Sequence, residues 1–335
     1  MKKSLLALAV LAASGAAFAQ SSVTLYGRVD LGITKITGQS AVMADGSSVG
    51  TSSRIGFRGV EDLGGGLKAG FLVETQFDAD ASKNGGAGST IGSRNSYIDL
   101  MGGFGGVRLG RHLNPALLFA ATYGGPWGTD YGYANNANIL SIEGARYNNA
   151  ISYMGKFGDV SVMFTTAMKE GNTYAVANGI STGAAADAAT VGAPTGAVGA
   201  AKMPLALAVN YGAGPIAAGV TLTKNGRGGD KLLTQVGFTY DAKVVKASVA
   251  FEQDGNQVGG KNAYSLGVSA PLGAASVNFV YGKDQKGSAA DVTQIAVGGQ
   301  YNLSKRTNVY GLVGQLKSAG ATASNQVTLG VQHQF

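Results

Sequence analysis

The sequence predicts an all-β protein: a sixteen-stranded antiparallel transmembrane β-barrel with short turns at one end and long loops at the other. Three observations carry that expectation. The chain ends on an alternating strand, apolar residues recur with a period of two almost throughout, and short and long connections take turns along the chain.

The terminal segment Asn325–Phe335 reads NQVTLGVQHQF. Val327, Leu329, Val331, His333 and Phe335 share one face of a strand, and Gln326, Thr328, Gly330, Gln332 and Gln334 share the other. A strand that is apolar outside, polar inside and closed by an aromatic residue belongs to few structural classes.

The opposite end points the same way. Lys2 and Lys3 form a positive n-region, Leu5 to Ala13 a short apolar run, and Ala17-Phe18-Ala19 a small-x-small cleavage site. Residues 1–19 therefore read as a secretory signal peptide, too short and too small-residue-rich at its end for a membrane anchor. Residues 20–335 are expected to form one exported barrel domain.

Composition narrows the class. Charged residues are only 13% of the chain, against about 25% in a soluble domain, and mean hydropathy is +0.10. Such an exported chain must bury apolar surface somewhere. Beyond the first nineteen residues no segment approaches about 18 consecutive apolar residues, which excludes spanning helices. Closed alternating strands are the other way to satisfy every backbone group in a bilayer. Cysteine is absent, so disulfides, thiol nucleophiles and cysteine metal sites are excluded. Loss of Lys2 and Lys3 lowers the net charge from +7 to +5, and the remaining basic residues are scattered rather than striped. No nucleic-acid partner is expected.

Along the chain, Val23, Leu25, Val29, Leu31 and Ile33 alternate with Thr24, Tyr26, Arg28, Asp30 and Gly32. Leu67, Ala69, Phe71 and Val73 alternate with Lys68, Gly70 and Glu74; Tyr264, Leu266 and Val268 alternate with Ser265, Gly267 and Ser269. Seven tight turns are expected at Asp62–Gly66, Gly102–Gly105, Gly155–Asp159, Gly212–Pro215, Asp241–Lys243, Pro271–Gly273 and Leu303–Arg306. Eight longer stretches lie between them, and these fifteen connections join sixteen strands. Strand-end aromatics such as Tyr26, Phe57, Phe71, Tyr211, Tyr240, Tyr281, Tyr301 and Phe335 fit interfacial girdles. Around Tyr310 and Leu312 both faces are apolar and the outward one is left open. The Ala/Gly/Thr-rich stretch Lys169–Met203 reads as an external loop without chemistry.

These features occur with VTLYGRVDLGI from Val23, SRIGFRGVEDLGGGLKAGF from Ser53, SRNSYIDLMGGFGGVRLGR from Ser93, YNLSKRTNVYGL from Tyr301 and the terminal Phe335. In that combination the chain resembles the general trimeric porins of Gram-negative outer membranes, of the β-proteobacterial type. The resemblance covers all of residues 20–335. It implies short periplasmic turns, long external loops, a third external loop folded into the pore, and a homotrimer with one water-filled pore per protomer. It also implies a multi-pass place in the outer membrane beside lipid and lipopolysaccharide, a terminal Phe335 read by the outer-membrane assembly machinery, and passive passage of small hydrophilic solutes with no cofactor.

By position the third loop is His112 to Ala145, 34 residues, with only Asp130 and Glu143 acidic. These two are the candidates for the acidic side of a constriction, fewer than such loops usually carry. Seven of nine arginines precede residue 150: Arg28, Arg54, Arg58, Arg94, Arg108, Arg111 and Arg146. Alternation puts Arg28, Arg58, Lys68 and Arg108 on the polar face, since a lipid-facing charge costs ~2–4 kcal/mol at the midplane. By analogy with the family, Arg28, Arg58, Lys68, Arg108 and Arg111 form the basic side. Arg54 and Arg94 are expected at the rim, bound to lipid phosphates or loop carbonyls. Residues 20–150 carry ten basic and ten acidic groups, so placement rather than total decides selectivity. A weak anion preference is the expectation.

Other readings stay open at this point. One is a channel preferring phosphate, organic anions or sugars; another is an adhesin or receptor role for the external loops. GNQVGGKN from Gly255 lacks the terminal Ser/Thr of a phosphate-binding loop and precedes a strand rather than a helix. Of the two histidines, only His112, beside the third loop, is placed to serve as a base in an enzyme. No metal-ligand spacing appears.

Overall fold

The computed structural model describes residues 22–80, 90–168, 202–226, 231–255, 261–286 and 290–335. The expected signal peptide and nearly all of the Lys169–Met203 stretch lie outside these residues.

The wall is a closed antiparallel barrel of sixteen strands. Its first quarter holds β1 (Ser22–Ile36), a short β2 (Val42–Ala44), β3 (Arg54–Gly64), β4 (Leu67–Gln76), β5 (Asn95–Gly102) and β6 (Gly105–Leu113). After the helix α1 (Pro115–Tyr123) come β7 (Arg146–Phe157), β8 (Val160–Ala167), β9 (Leu205–Ala213), β10 (Ile216–Lys224), β11 (Leu232–Asp241) and β12 (Lys246–Asp254). The barrel ends with β13 (Lys261–Leu272), β14 (Ala275–Lys286), β15 (Val292–Asn302), β16 (Thr307–Ser318) and β17 (Ser324–Gln334).

Closure is made by β1, which pairs with β17 from Arg28↔Gln334 to Ile36↔Gln326. On its other edge β1 pairs with β3 as far as Arg28↔Arg54, and β2 continues that edge from Gly32↔Ala44 to Thr34↔Val42. β2 and β3 thus act together as one interrupted wall strand. The interruption, residues 45–53, drops into the lumen, a feature the sequence reading did not anticipate.

All seven expected tight turns join consecutive strands. At the first, Gly64, Gly65 and Gly66 all take positive φ (83°, 61° and 82°), a run that side chains would strain. The Asp62 carboxylate accepts from the Gly64 N–H at 2.9 Å.

The alternation is inside out relative to a soluble protein. Val327, Leu329 and Val331 are 49–66% exposed on the outside, while Gln326, Thr328 and Gln332 are at most 3% exposed within. Val236, Phe238 and Tyr240 repeat the outward apolar pattern on β11. Apolar exposure on this scale is stable only against lipid. No helix among the described residues is long and apolar enough to cross a membrane; the strands do so. Tyr211, Tyr240 and Tyr301 stand outward near the tight turns, and Tyr264 and Tyr281 pair at 6.3 Å toward the other end. Tyr26, which alternation places inward, points into the lumen rather than joining a girdle and donates to Glu74 Oε2 at 3.0 Å.

The apolar core lies under a loop rather than between sheets. Residues 114–145 fold inward and bury Phe119, Ala120, Tyr123, Ile139 and Leu140 against Ala250, Ala263 and Val292. Trp127, Tyr131 and Ala134 pack on Val280, Ala296, Tyr310 and Leu312. This resolves the two-sided apolar stretch of β16. Tyr310 and Leu312, each 3% exposed, face inward beneath the loop, and Val313, 52% exposed, faces lipid.

Candidate pore constriction

The third loop is built to hold its shape. Asn114 caps α1: its Oδ1 accepts from Leu117 N–H at 2.8 Å, and Pro115 opens the helix. The same side chain donates through Nδ2 to Ile142 O and Glu143 O, both at 2.9 Å, clasping the two ends of the loop. The loop crosses from β6 to the wall formed by β9–β17. Tyr123 donates to Asn210 Oδ1 at 2.9 Å and lies flat on Gly219 and Gly237, where any Cβ would collide with its ring. Further along, Ser141 donates through N–H and Oγ–H to Glu252 at 2.7 and 2.8 Å, and Gln235 Nε2 donates to the same carboxylate at 2.8 Å. Tyr133 N–H donates to Gln326 Oε1 at 2.6 Å.

Facing the loop is the wall of β1 and β3–β6. At its centre Glu74 accepts from Arg94 Nε at 2.8 Å, Asn95 Nδ2 at 3.1 Å and Tyr26 Oη, and Arg54 Nε stands 3.8 Å away. The expectation that Arg54 and Arg94 sit at the rim is therefore corrected. β3 begins at Arg54 on the lumen face beside Glu74, and the Arg94 backbone N–H donates to Glu74 O at 3.0 Å, extending the β4–β5 ladder by one residue.

The other expected residues fall into distinct places. Arg28 donates through Nη1 to Thr51 Oγ1 at 2.8 Å. Arg58 faces the lumen with its guanidinium 5.2 Å from the Tyr26 ring centre. Lys68 shares that face but sits opposite Asp62, beside the tight turn; six residues of strand put it roughly 20 Å from Glu74. Arg108 stacks on Tyr97 at 3.7 Å and forms a two-pronged pair with Asp99 at 2.8 and 2.9 Å, so its charge is matched. Arg111 is the residue that binds a loop carbonyl, Ser93 O at 2.7 Å, together with Asn148 Oδ1. Glu143 is 6% exposed at the end of the loop with its carboxylate over Gly226, and stands apart from the arginines around Glu74.

Asp130 does face them. It lies deep in the barrel with part of its side chain open to the lumen. Burial pushes its carboxyl above the usual carboxylate range, and Arg94, Arg54 and Arg28 pull the other way. Among the described residues no ion pair closes between Asp130 and any of the three. The gap between Asp130 and this arginine group is the candidate constriction. A recess of about 370 Å³ next to it is lined by Tyr26, Arg28, Arg54, Arg58 and Glu74.

Sequence reasoning missed Glu74 and Asp99 as direct partners of the arginines, and Asp30, which reaches Arg28 only through Thr51. All three stand on the polar face by alternation, and that was the available signal. His112 is 0% exposed, with Nε2 3.1 Å from Ser152 Oγ and Ser152 in turn 2.7 Å from Thr165. Ser152 and Thr165 are also 0% exposed, so this histidine has no approach for a substrate.

A family model described as Gram-negative porin matches residues 5–321. Outer membrane porin protein 32 of Delftia acidovorans is 38% identical, over 99% of this chain and 93% of that protein. The major outer membrane protein P.IB of Neisseria lactamica is 30% identical over the full length of both. Among solved structures, the trimer form of OmpT from Vibrio cholerae superposes with a TM-score of 0.67 at 14% identity, over 94% of this chain and 99% of that one. With a closed sixteen-strand wall, an inward third loop and relatives matched along its whole length, the chain belongs to the Gram-negative porins, barrels of the outer membrane.

Proposed function

We propose that this porin is a general diffusion channel, passing small hydrophilic solutes and ions passively and with a weak preference for anions. One observation carries the preference. Arg28, Arg54, Arg58 and Arg94 outnumber Glu74, Asp130 and Asp30 at the gap, while Arg108 is matched by Asp99. A unit charge about 10 Å from a permeating ion contributes ~0.4 kcal/mol in water, close to twofold per charge. An excess of one positive charge therefore supports a bias of about twofold without tight binding of any solute.

The assembly reading is a homotrimer in contact with outer-membrane lipid and lipopolysaccharide. Its support is the family and the trimer form of OmpT. Phe335 is proposed as the residue read by the assembly machinery; its ring lies against Gly27, and its backbone exchanges two 3.1 Å hydrogen bonds with that residue.

The test is planar-bilayer conductance and liposome swelling with purified, unboiled protein. Conductance steps in groups of three, with swelling rates that fall smoothly with sugar size, support a general trimeric channel. Saturation by one solute, with others excluded, would replace it with a substrate-preferring channel.

A further inference from the structure

Among the described residues Asp30 pairs directly with no arginine, yet it is 1% exposed and bonded to three separate parts of the chain. Its Oδ2 accepts from Thr51 N–H at 2.7 Å, Thr51 Oγ1–H at 2.8 Å and Gln332 Nε2 at 2.8 Å. Its Oδ1 accepts from Tyr310 Oη–H at 2.7 Å. The donors come from the inward part of the first loop, from β17 and from β16.

Thr51 Oγ1 gives its only proton to Asp30, so its lone pairs are turned outward to accept from Arg28 Nη1 at 2.8 Å and from Gln332 at 2.8 Å. The direction of the Arg28 guanidinium is thus set through one hydroxyl by Asp30. The neighbouring Gly50 leads to the acidic side. Its carbonyl accepts from Tyr131 N–H at 3.0 Å, and Gly132 N–H donates to Ser47 O at 2.6 Å. Tyr131 follows Asp130 directly, and its ring meets Tyr310 edge-on at 5.1 Å. Only glycine fits at position 50, because a Cβ there would strike Tyr310 Oη and the Asp30 carboxylate.

We propose that Asp30 is the positioning residue of the constriction: through Thr51 it aims Arg28, and through Gly50 and Tyr310 it holds the Tyr131 turn that carries Asp130. The first loop is then part of the selectivity device rather than an external appendage. This inference rests on the reading of the gap as the selective element.

The experiment uses charge-neutral variants, because removing Asp30 itself would change the field as well as the geometry. Full-length Thr51→Val, Thr51→Ser and Tyr310→Phe proteins are compared with wild type in a KCl gradient. Thr51→Val and Tyr310→Phe are expected to change the Cl⁻/K⁺ permeability ratio by about twofold and to raise open-channel noise. Thr51→Ser, which keeps the hydroxyl, is expected to restore both. Heat resistance of the folded trimer on gels checks that each variant is assembled. Wild-type ratio and noise in assembled Thr51→Val and Tyr310→Phe would overturn the inference and leave the porin reading intact. A wild-type channel without Cl⁻ preference would instead remove the reading on which it rests.

Discussion

Glu252 and Ser141 are joined by two hydrogen bonds, from Ser141 N–H at 2.7 Å and Oγ–H at 2.8 Å, across the lumen face of β12. Glu252 is 0% exposed and takes a third bond from Gln235. A buried carboxylate surrounded by donors in this way fixes the return limb of the third loop to the wall.

Glu252→Gln places an amide donor among those donors, at a cost of about 1–3 kcal/mol. The barrel ladders are untouched, so the expected result is a folded channel with a displaced loop. Trp127, the chain's single tryptophan and 3% exposed, sits on that loop. Its emission should shift to the red, become quenchable by acrylamide, and be accompanied by larger and noisier conductance. An unchanged emission maximum and conductance would show that the latch does not hold the loop.

The flat seat of Tyr123 predicts a second route to the same displacement. At Gly237 a Cβ meets the Tyr123 ring and its own Cβ, so Gly237→Val is overpacked by about 1–3 kcal/mol. Val should be accepted by the strand itself, since β-branched residues suit it. Trp127 emission and channel conductance should follow Glu252→Gln. A wild-type loop with lowered barrel stability would place the strain in the wall instead.

Arg108 and Asp99 should act as one neutral unit. Asp99→Asn alone exposes the Arg108 charge and is expected to raise the Cl⁻/K⁺ permeability ratio by about twofold. The double replacement Asp99→Asn with Arg108→Gln should return it to the wild-type value. Non-additivity of this kind is what a matched pair produces. Equal ratios in wild type and Asp99→Asn would show that this pair lies outside the conducting field.

Acidification has a predictable sign. Burial raises the Asp130 carboxyl above the ordinary carboxylate range. As pH falls it is therefore protonated before solvated carboxylates, and the gap loses a negative charge while its arginines keep theirs. Anion preference should rise as pH falls, ahead of ordinary carboxylate titration. In Asp130→Asn the preference should be higher from the start, and this early step should be missing. Persistence of the step in Asp130→Asn would assign it to another group.

Much of this architecture was legible because the constraints on it are local. A period of two, a tight turn at every second connection and an alternating terminal strand each follow from a strand having lipid on one side and water on the other. The exceptions have one cause. Tyr310 and Leu312 break the polar-in rule because the third loop covers them, and no local pattern announces a cover that comes from almost 200 residues away. The drop of residues 45–53 into the lumen was hidden for the same reason: its partners Gln326 and Gln332 are distant in sequence.

The site was legible by face but not by partner. Alternation put Arg28, Arg58, Lys68 and Arg108 on the lumen side. It could not tell that Asp99 matches Arg108, that Lys68 sits at the far end beside Asp62, or that Arg54 and Arg94 converge on Glu74. Pairing depends on the register between β3 and β6, set by the turns, and a one-residue slip exchanges the faces.

The central claim is that an excess of arginines over carboxylates at the gap facing Asp130 sets the selectivity of the pore. The most direct measurement is the reversal potential in a KCl gradient, for wild type and for the triple variant Arg28→Gln, Arg54→Gln, Arg94→Gln. The account predicts a Cl⁻-favouring potential in wild type and a K⁺-favouring one in the triple variant, with conducting trimers in both. A K⁺-favouring wild type, or a triple variant that keeps its Cl⁻ preference, would contradict it.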